Sequence, residues 1–113
     1  MRIKRGTAHV KRRKNLLKQT KGFRWGRKSK IKLAKTAALK AGVHAYRGRK
    51  EKKREFRRLW NIKINAAARE HGLSYSKFIY ALRKVKIGLD RKSLANLAEN
   101  DPKAFAEIVK KIK

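Results

Sequence analysis

No acidic side chain precedes Glu51, although nineteen lysines and arginines occupy the first fifty residues. A segment with that balance cannot neutralise itself, and a compact body made of it would repel itself. It needs a large, dense polyanion to lie against, and nucleic acid is the first candidate. The remaining sixty-three residues carry seventeen Lys and Arg against seven Asp and Glu, so the formal charge of +29 divides as +19 and +10. Both parts are basic, and only the first is unopposed.

Apolar residues are distributed the other way, with bulky aliphatics and aromatics thickening after Phe56. A body of about 60 residues buries only about 60% of its unfolded surface, which allows a small core. The front half has fewer large apolar groups among its charges and is expected to owe its order to a partner. The expected organisation is a basic extension over residues 1–58, ordered by RNA, and a compact domain over 59–113.

Helical punctuation fills in the fold. Thr7 is placed to cap a short basic helix through Val10, Leu16 and Leu17, with Gly22 as its left-handed stop. Residues 22–26 pair two glycines with Phe23, Arg24 and Trp25 and read as a turn. From 28 to 69 there is no proline and alanine is abundant, which predicts one long helix with Gly42 and Gly48 as the places for a bend. Along it Arg47, Lys50, Arg54 and Arg57 form a basic ridge at helical spacing. Leu39, Val43, Tyr46, Phe56, Leu59, Trp60, Ile64 and Ala67 weight the other side. Gly72 closes this helix and Ser74 caps a second, in which Tyr75, Phe78, Ile79, Leu82 and Val85 keep an amphipathic spacing. Gly88 is the predicted stop of that helix. Asp90 caps a short helix with Leu94, Leu97 and Ala98, and Asp101-Pro102 opens a last one with Phe105, Ile108, Val109 and Ile112. The fold class is all-α, with Phe56, Trp60, Ile64, Phe78, Leu82 and Phe105 as the predicted core.

Several chemistries find no support. The chain has no cysteine, and His9, His44 and His71 lie far apart without clustered carboxylates, so no metal site is expected. Residues 22–29 lack P-loop spacing, and no serine has a histidine and carboxylate grouped with it. The reading is therefore a non-enzyme with no cofactor and no small-molecule substrate. The longest run of bulky apolar residues, 78–82, falls far short of the roughly 20 needed to span a bilayer. The basic N-terminus is followed by no apolar stretch of about 7 to 15 residues, so no secretory signal is expected.

What remains is RNA or DNA binding. The candidate phosphate contacts begin with Arg2, Lys4, Arg5, Lys11, Arg12, Arg13, Lys14, Lys18 and Lys21. They continue with Arg24, Arg27, Lys28, Lys30, Lys32 and Lys35, and then Arg47, Arg49, Lys50, Lys53, Arg54, Arg57 and Arg58. Arginine forks grip phosphates in two-pronged fashion and lysines supply point charges. Phe23, Trp25 and Tyr46 are the candidates for stacking on exposed bases or sugars, with packing against a neighbouring helix as the other reading. No zipper heptads, finger spacing or RNA-recognition strand pattern accompany the charge. A long basic arm on a small helical body points to penetration into folded RNA. An architectural binder of duplex DNA shares the charge, and competition between duplex DNA and folded RNA separates the two. A cationic membrane-surface helix needs a broad Trp, Phe and Leu face that the first fifty residues hardly supply.

Residues 53–69, KREFRRLWNIKINAAAR, carry the strongest family signature through Lys53, Arg57, Leu59, Trp60, Ile64, Asn65 and Arg69. The opening RIKRGTAHVKRRKNLLKQTKGF and the later runs AYRGRKEKKREF, GLSYSKFI and DRKSLANLAENDPKAF follow in order. In these residues the chain resembles, nearly end to end, the family of bacterial large-subunit ribosomal protein twenty. After Trp60 that family usually has a β-branched aliphatic, a small residue and Arg, where this chain has Asn61, Ile62 and Lys63. Trp25 beside Gly26 also departs from the family pattern. The resemblance implies direct binding to 23S rRNA, contacts with neighbouring large-subunit proteins, and a part in early assembly of the large subunit rather than in peptide bond formation. It implies a cytoplasmic ribosome, with an organellar ribosome as the other setting.

Overall fold

The computed structural model describes residues 6–113. Among them it shows five α-helices, one 3-10 helix and no strand, the all-α architecture expected from the sequence. Arg2, Lys4 and Arg5 lie outside the described residues. The chain divides into two compact units, one ending at Lys50 and the other beginning at Glu51. That boundary and the expected one at 58/59 both fall within the same continuous helix, Ile31–Glu70.

Helix α1 spans Gly6–Gln19. Since Gly6 is already helical, Thr7 is an interior residue and not the cap. At the exit Thr20 is fully buried, and its hydroxyl faces the carbonyls of Leu17 and Leu16 at 3.4 and 3.5 Å. A buried hydroxyl is thus accommodated within its own helix. Gly22 adopts φ +87°, a left-handed conformation suited to glycine, and the chain turns into a 3-10 helix at Trp25–Lys28. The amides of Ser29 and Lys30 both donate to the Gly26 carbonyl, at 3.3 and 2.8 Å. Those residues are used in leaving the turn, so α2 begins at Ile31, three residues later than the sequence suggested. A Cβ on Gly26 would stand 3.0 Å from Leu33 Cδ1, so glycine lets the turn lie close on the start of α2. Arg13 Nη2 donates to the Ser29 carbonyl at 3.3 Å, tying α1 to the same turn. Among the described residues of this first unit, only Thr20 and Ala34 are fully buried.

Helix α2, Ile31–Glu70, passes through Gly42 and Gly48 without interruption. Its last turns join α3 (Tyr75–Lys84), α4 (Arg91–Asn100) and α5 (Pro102–Ile112) in the second unit. There Ile64, Ala68, Phe78, Leu82, Leu94, Ala95, Phe105 and Val109 form one buried cluster. Phe78 and Phe105 stack at its centre, with ring centroids 5.2 Å apart. Full burial of each such ring contributes about 1.5–3 kcal/mol. Trp60 packs against the cluster while remaining partly open. Phe56, expected in the core, is 46% exposed and touches Trp60 at 6.3 Å between centroids, so it is not a core residue. Leu39, Val43 and Tyr46 are likewise exposed, because no other helix covers that stretch of α2 within its own unit.

The three residues after Trp60 acquire a structural account. Asn61 Oδ1 accepts from the Tyr75 hydroxyl at 2.8 Å, and that hydroxyl in turn accepts from Arg91 Nε at 3.0 Å. Asn65 Oδ1 accepts from the Tyr75 amide at 3.2 Å. Lys63 pairs with Glu99 of α4 at 2.5 Å. Ile62, where the family usually has a small residue, is 66% exposed. Asn61 and Lys63 therefore help join α2 to α3 and α4 through polar contacts at the rim of the core.

Helix starts follow local cap chemistry. Ser74 accepts from the Lys77 amide, Asp90 from the Ser93 amide at 2.8 Å, and Asp101 from the Ala104 amide at 3.1 Å with Pro102 beginning the helix. Hydrogen bonds from the Ser93 side chain and backbone hold the Asp90 carboxyl below its ordinary range. The helix ends are less local. At Gly72, φ +77°, the Leu73 amide donates to Ala68 O and the Gly72 amide to Arg69 O, the paired bonds of a Schellman end. Helix α3 ends the same way, but its left-handed residue is Lys86, φ +57°, with Ile87 bonded to Leu82 O and Lys86 to Arg83 O. Gly88 is thus not the stop, and Val85 lies beyond the helix, 47% exposed. Ile87 packs against the core directly after this turn, which places the left-handed residue one position before it.

The two left-handed positions yield opposite expectations. Lys86→Gly should stabilise the chain by about 1 kcal/mol, by removing the Cβ penalty of the left-handed region. Gly72→Ala should destabilise it by about 1–2 kcal/mol for the same reason. Urea midpoints at unchanged slope measure both. A lower midpoint for Lys86→Gly would contradict the strain account.

Candidate nucleic-acid interface

Within the described residues, the cations proposed from the sequence are displayed on two helices and the turn that joins them. From Lys11 to Arg58 every one of them within the described residues is exposed. On α1, Lys11, Lys14 and Lys18 follow one side, and Arg12 and Arg13 spread the charge around the helix. On α2 the ridge of Arg47, Lys50, Arg54 and Arg57 is solvent-facing along its length. Some of these side chains have protein contacts as well. Lys50 Nζ stands over the Tyr46 ring at 4.4 Å, a cation–π contact. Arg58 pairs with Glu55 at 2.9 Å in an exposed i, i+3 bridge, the kind that contributes little and leaves the guanidinium available to a stronger anion.

The three aromatic candidates occupy different settings. Trp25 is 80% exposed at φ +51°, and Tyr46 is 57% exposed beside Lys50. Phe23 is half-buried and lines a groove of about 470 Å³ with Arg24, Arg27, Leu33, Thr36, Ala37, Lys40, Ala41 and His44. One wall is the turn and the other is a single face of α2. Lys40 was not among the residues picked from the sequence as contacts. The signal was nevertheless there, since 33, 36, 37, 40, 41 and 44 follow i, i+3, i+4, i+7, i+8 and i+11.

The second unit offers different surfaces. A hollow of about 310 Å³ is lined by Lys63, Glu70, His71, Glu99 and Phe105 among others, with His71 lying over Phe105 at 6.3 Å. Its carboxylates and cations are mixed, unlike the groove of the first unit. Among the described residues no three His, Cys, Asp or Glu side chains are grouped to hold a metal ion, and no helix is long and apolar enough to cross a membrane.

Comparison with known proteins gives this basic surface its context. The family described as ribosomal protein L20 matches residues 2–108 of the chain. The chain belongs to the ribosomal protein L20 family. Members of the L20 family are structural components of the ribosome and not enzymes. Among its L20 relatives, the large ribosomal subunit protein bL20 of Methylibium petroleiphilum is 53% identical over 112 residues, covering 99% of this chain and 95% of that protein. The bL20 of Leptospira biflexa is 56% identical over 108 residues, covering 96% and 92%. The bL20 of a Roseiflexus species is 51% identical over 108 residues, with the same coverage.

Proposed function

We propose that this chain is a large-subunit ribosomal protein that binds 23S rRNA directly and promotes early assembly of the subunit, with no part in peptide bond formation. The observation that carries the reading is the first unit itself. It displays an unopposed set of cations on its surface and fully buries only Thr20 and Ala34 among its described residues. A body so built gains little from its own core and much from an anionic partner. Its relatives are named large ribosomal subunit proteins, which supports the RNA of that subunit as the partner.

The division of labour follows the charge. Residues 1–58 meet the RNA and are ordered by it, while 59–113 supply a domain that folds around its own core. Cations arrayed along α1 and α2 relieve the repulsion among phosphates of RNA segments that must come together, and release their counterions. Such an extension acts before those segments close, which places its action early. Neighbouring large-subunit proteins complete the set of partners, in the cytoplasm.

Assembly in cells supplied only with residues 51–113 tests this role. Large-subunit precursors should accumulate as an early particle, while the full chain restores mature subunits. Normal assembly with the truncated chain, at ordinary temperature and salt, would contradict the proposal.

A further inference from the structure

The groove of the first unit has a chemistry that phosphate neutralisation alone does not require. Cations suffice to hold a duplex, whose bases are stacked inside and whose phosphates lie outside. This groove adds a half-buried phenylalanine and an aliphatic wall to its cations. We infer that it receives one unstacked nucleotide of an RNA strand, the base against Phe23, Leu33 and Ala37 and the phosphate on Arg24, Arg27 and Lys40. This rests on the reading that the chain binds RNA, and specifies where and in what form.

Three observations converge on that occupant. The groove's volume, about 470 Å³, lies within the range of small-ligand pockets, about 300–1,000 Å³. Each wall sets an apolar group beside cations, Phe23 beside Arg24 and Arg27 on one and Leu33 and Ala37 beside Lys40 on the other, as a nucleotide sets a base beside a phosphate. Arg24 and Arg27 come from the turn, while Leu33, Ala37 and Lys40 share one face of α2. The charge is one-sided, because residues 1–50 contain no carboxylate to compete for the arginines. A free phosphate would engage the cations and leave the apolar wall in water. An unstacked nucleotide uses both.

The turn carries local ties of its own. Gly22 sets its entry at φ +87°, Gly26 permits close approach to Leu33, and Arg13 fastens its exit through the Ser29 carbonyl. Such ties lower the cost at which RNA orders the groove. Phe23 is thereby distinguished from Trp25, which is almost fully open and has no facing wall among the residues of the groove.

The test uses the full chain, with its ring and methyl signals followed by NMR. The probes are a short single-stranded oligoadenylate, inorganic phosphate, and a short RNA duplex. Oligoadenylate should move the Phe23 ring and the Leu33 and Ala37 methyl signals upfield, saturably, through the ring current of a stacked base. Phosphate and duplex should leave those signals in place. Phe23→Leu should weaken oligoadenylate binding on the order of tenfold, the scale of one base–aromatic stack. Its salt slope on 23S rRNA should be unchanged. Lys40→Gln, at an exposed helix position, should reduce that slope by about one phosphate contact and leave the fold intact. Oligoadenylate shifts spread over the cations with the groove methyls unmoved, or equal groove shifts from phosphate or duplex, would overturn the inference. Either result beside steep salt-dependent binding to 23S rRNA refutes the groove alone. Loss of that steep binding in the unaltered chain would refute the RNA reading with it.

Discussion

Phe78→Ala should remove most of the stability of the second unit. The ring is fully buried, stacks on Phe105 at 5.2 Å, and lies in the single cluster that holds α2, α3, α4 and α5 together. A Phe-to-Ala truncation in such a site costs about 3–5 kcal/mol, from lost burial and the cavity left behind. A unit of sixty-three residues is expected to have only about 3–9 kcal/mol in total. Circular dichroism in urea should therefore show Phe78→Ala largely unfolded, or close to its midpoint, without denaturant. Phe56→Ala should cost no more than about 1 kcal/mol, because nearly half the ring is already in water. Trp60→Ala should fall between them. A reversed order, with Phe56 the most sensitive, would contradict the placement of the core.

The second large effect concerns charge. Replacing Lys11, Arg12, Lys14 and Lys18 together by Gln should reduce the dependence of log affinity for 23S rRNA on log salt by about 3 to 4 units. All four are exposed on α1, and glutamine keeps the helix propensity. Arg13 is left untouched because it also bonds the Ser29 carbonyl, so the variant changes charge and not the turn. Affinity at low salt should fall steeply, while the urea midpoint of the second unit stays constant. An unchanged slope would mean that α1 does not lie against phosphate.

The parts of the structure legible in the sequence are those decided within one helical turn. Ser74, Asp90 and Asp101 announce the starts of α3, α4 and α5, because a cap is a bond between a side chain and an amide two or three residues away. The amphipathic spacing of Phe78 and Leu82 is equally local. The end of α3 was not legible in this way. Gly88 is the residue of lowest local strain for a left-handed turn, yet Lys86 takes it, so that Ile87 can pack on the core and bond to Leu82 O. Here packing outweighs a penalty of about 1–2 kcal/mol.

Phe56 illustrates the same limit in the other direction. It shares a helical face with Trp60 and Ile64, and periodicity identifies that face but not how far along it the other helices reach. Cover begins at Trp60, so Ile64 is buried and Phe56 is not. In the candidate interface, the charge of the first fifty residues was evident at once. The groove was not, since it needs Arg24 and Arg27 on a turn to face Lys40 on a helix, a pairing that depends on the turn at Gly22 and Gly26 and on the Arg13 contact.

The central claim is that the basic extension binds folded ribosomal RNA directly, and a salt titration of the full chain on 23S rRNA tests it most closely. Binding should be followed from about 50 to 200 mM salt, with and without an excess of duplex DNA. A chain neutralising about eight phosphates should show a log–log slope near −6 to −7. Most of the rRNA complex should survive the DNA competitor. A slope shallower than about −2, or displacement by duplex DNA in simple proportion to its phosphates, would contradict the account.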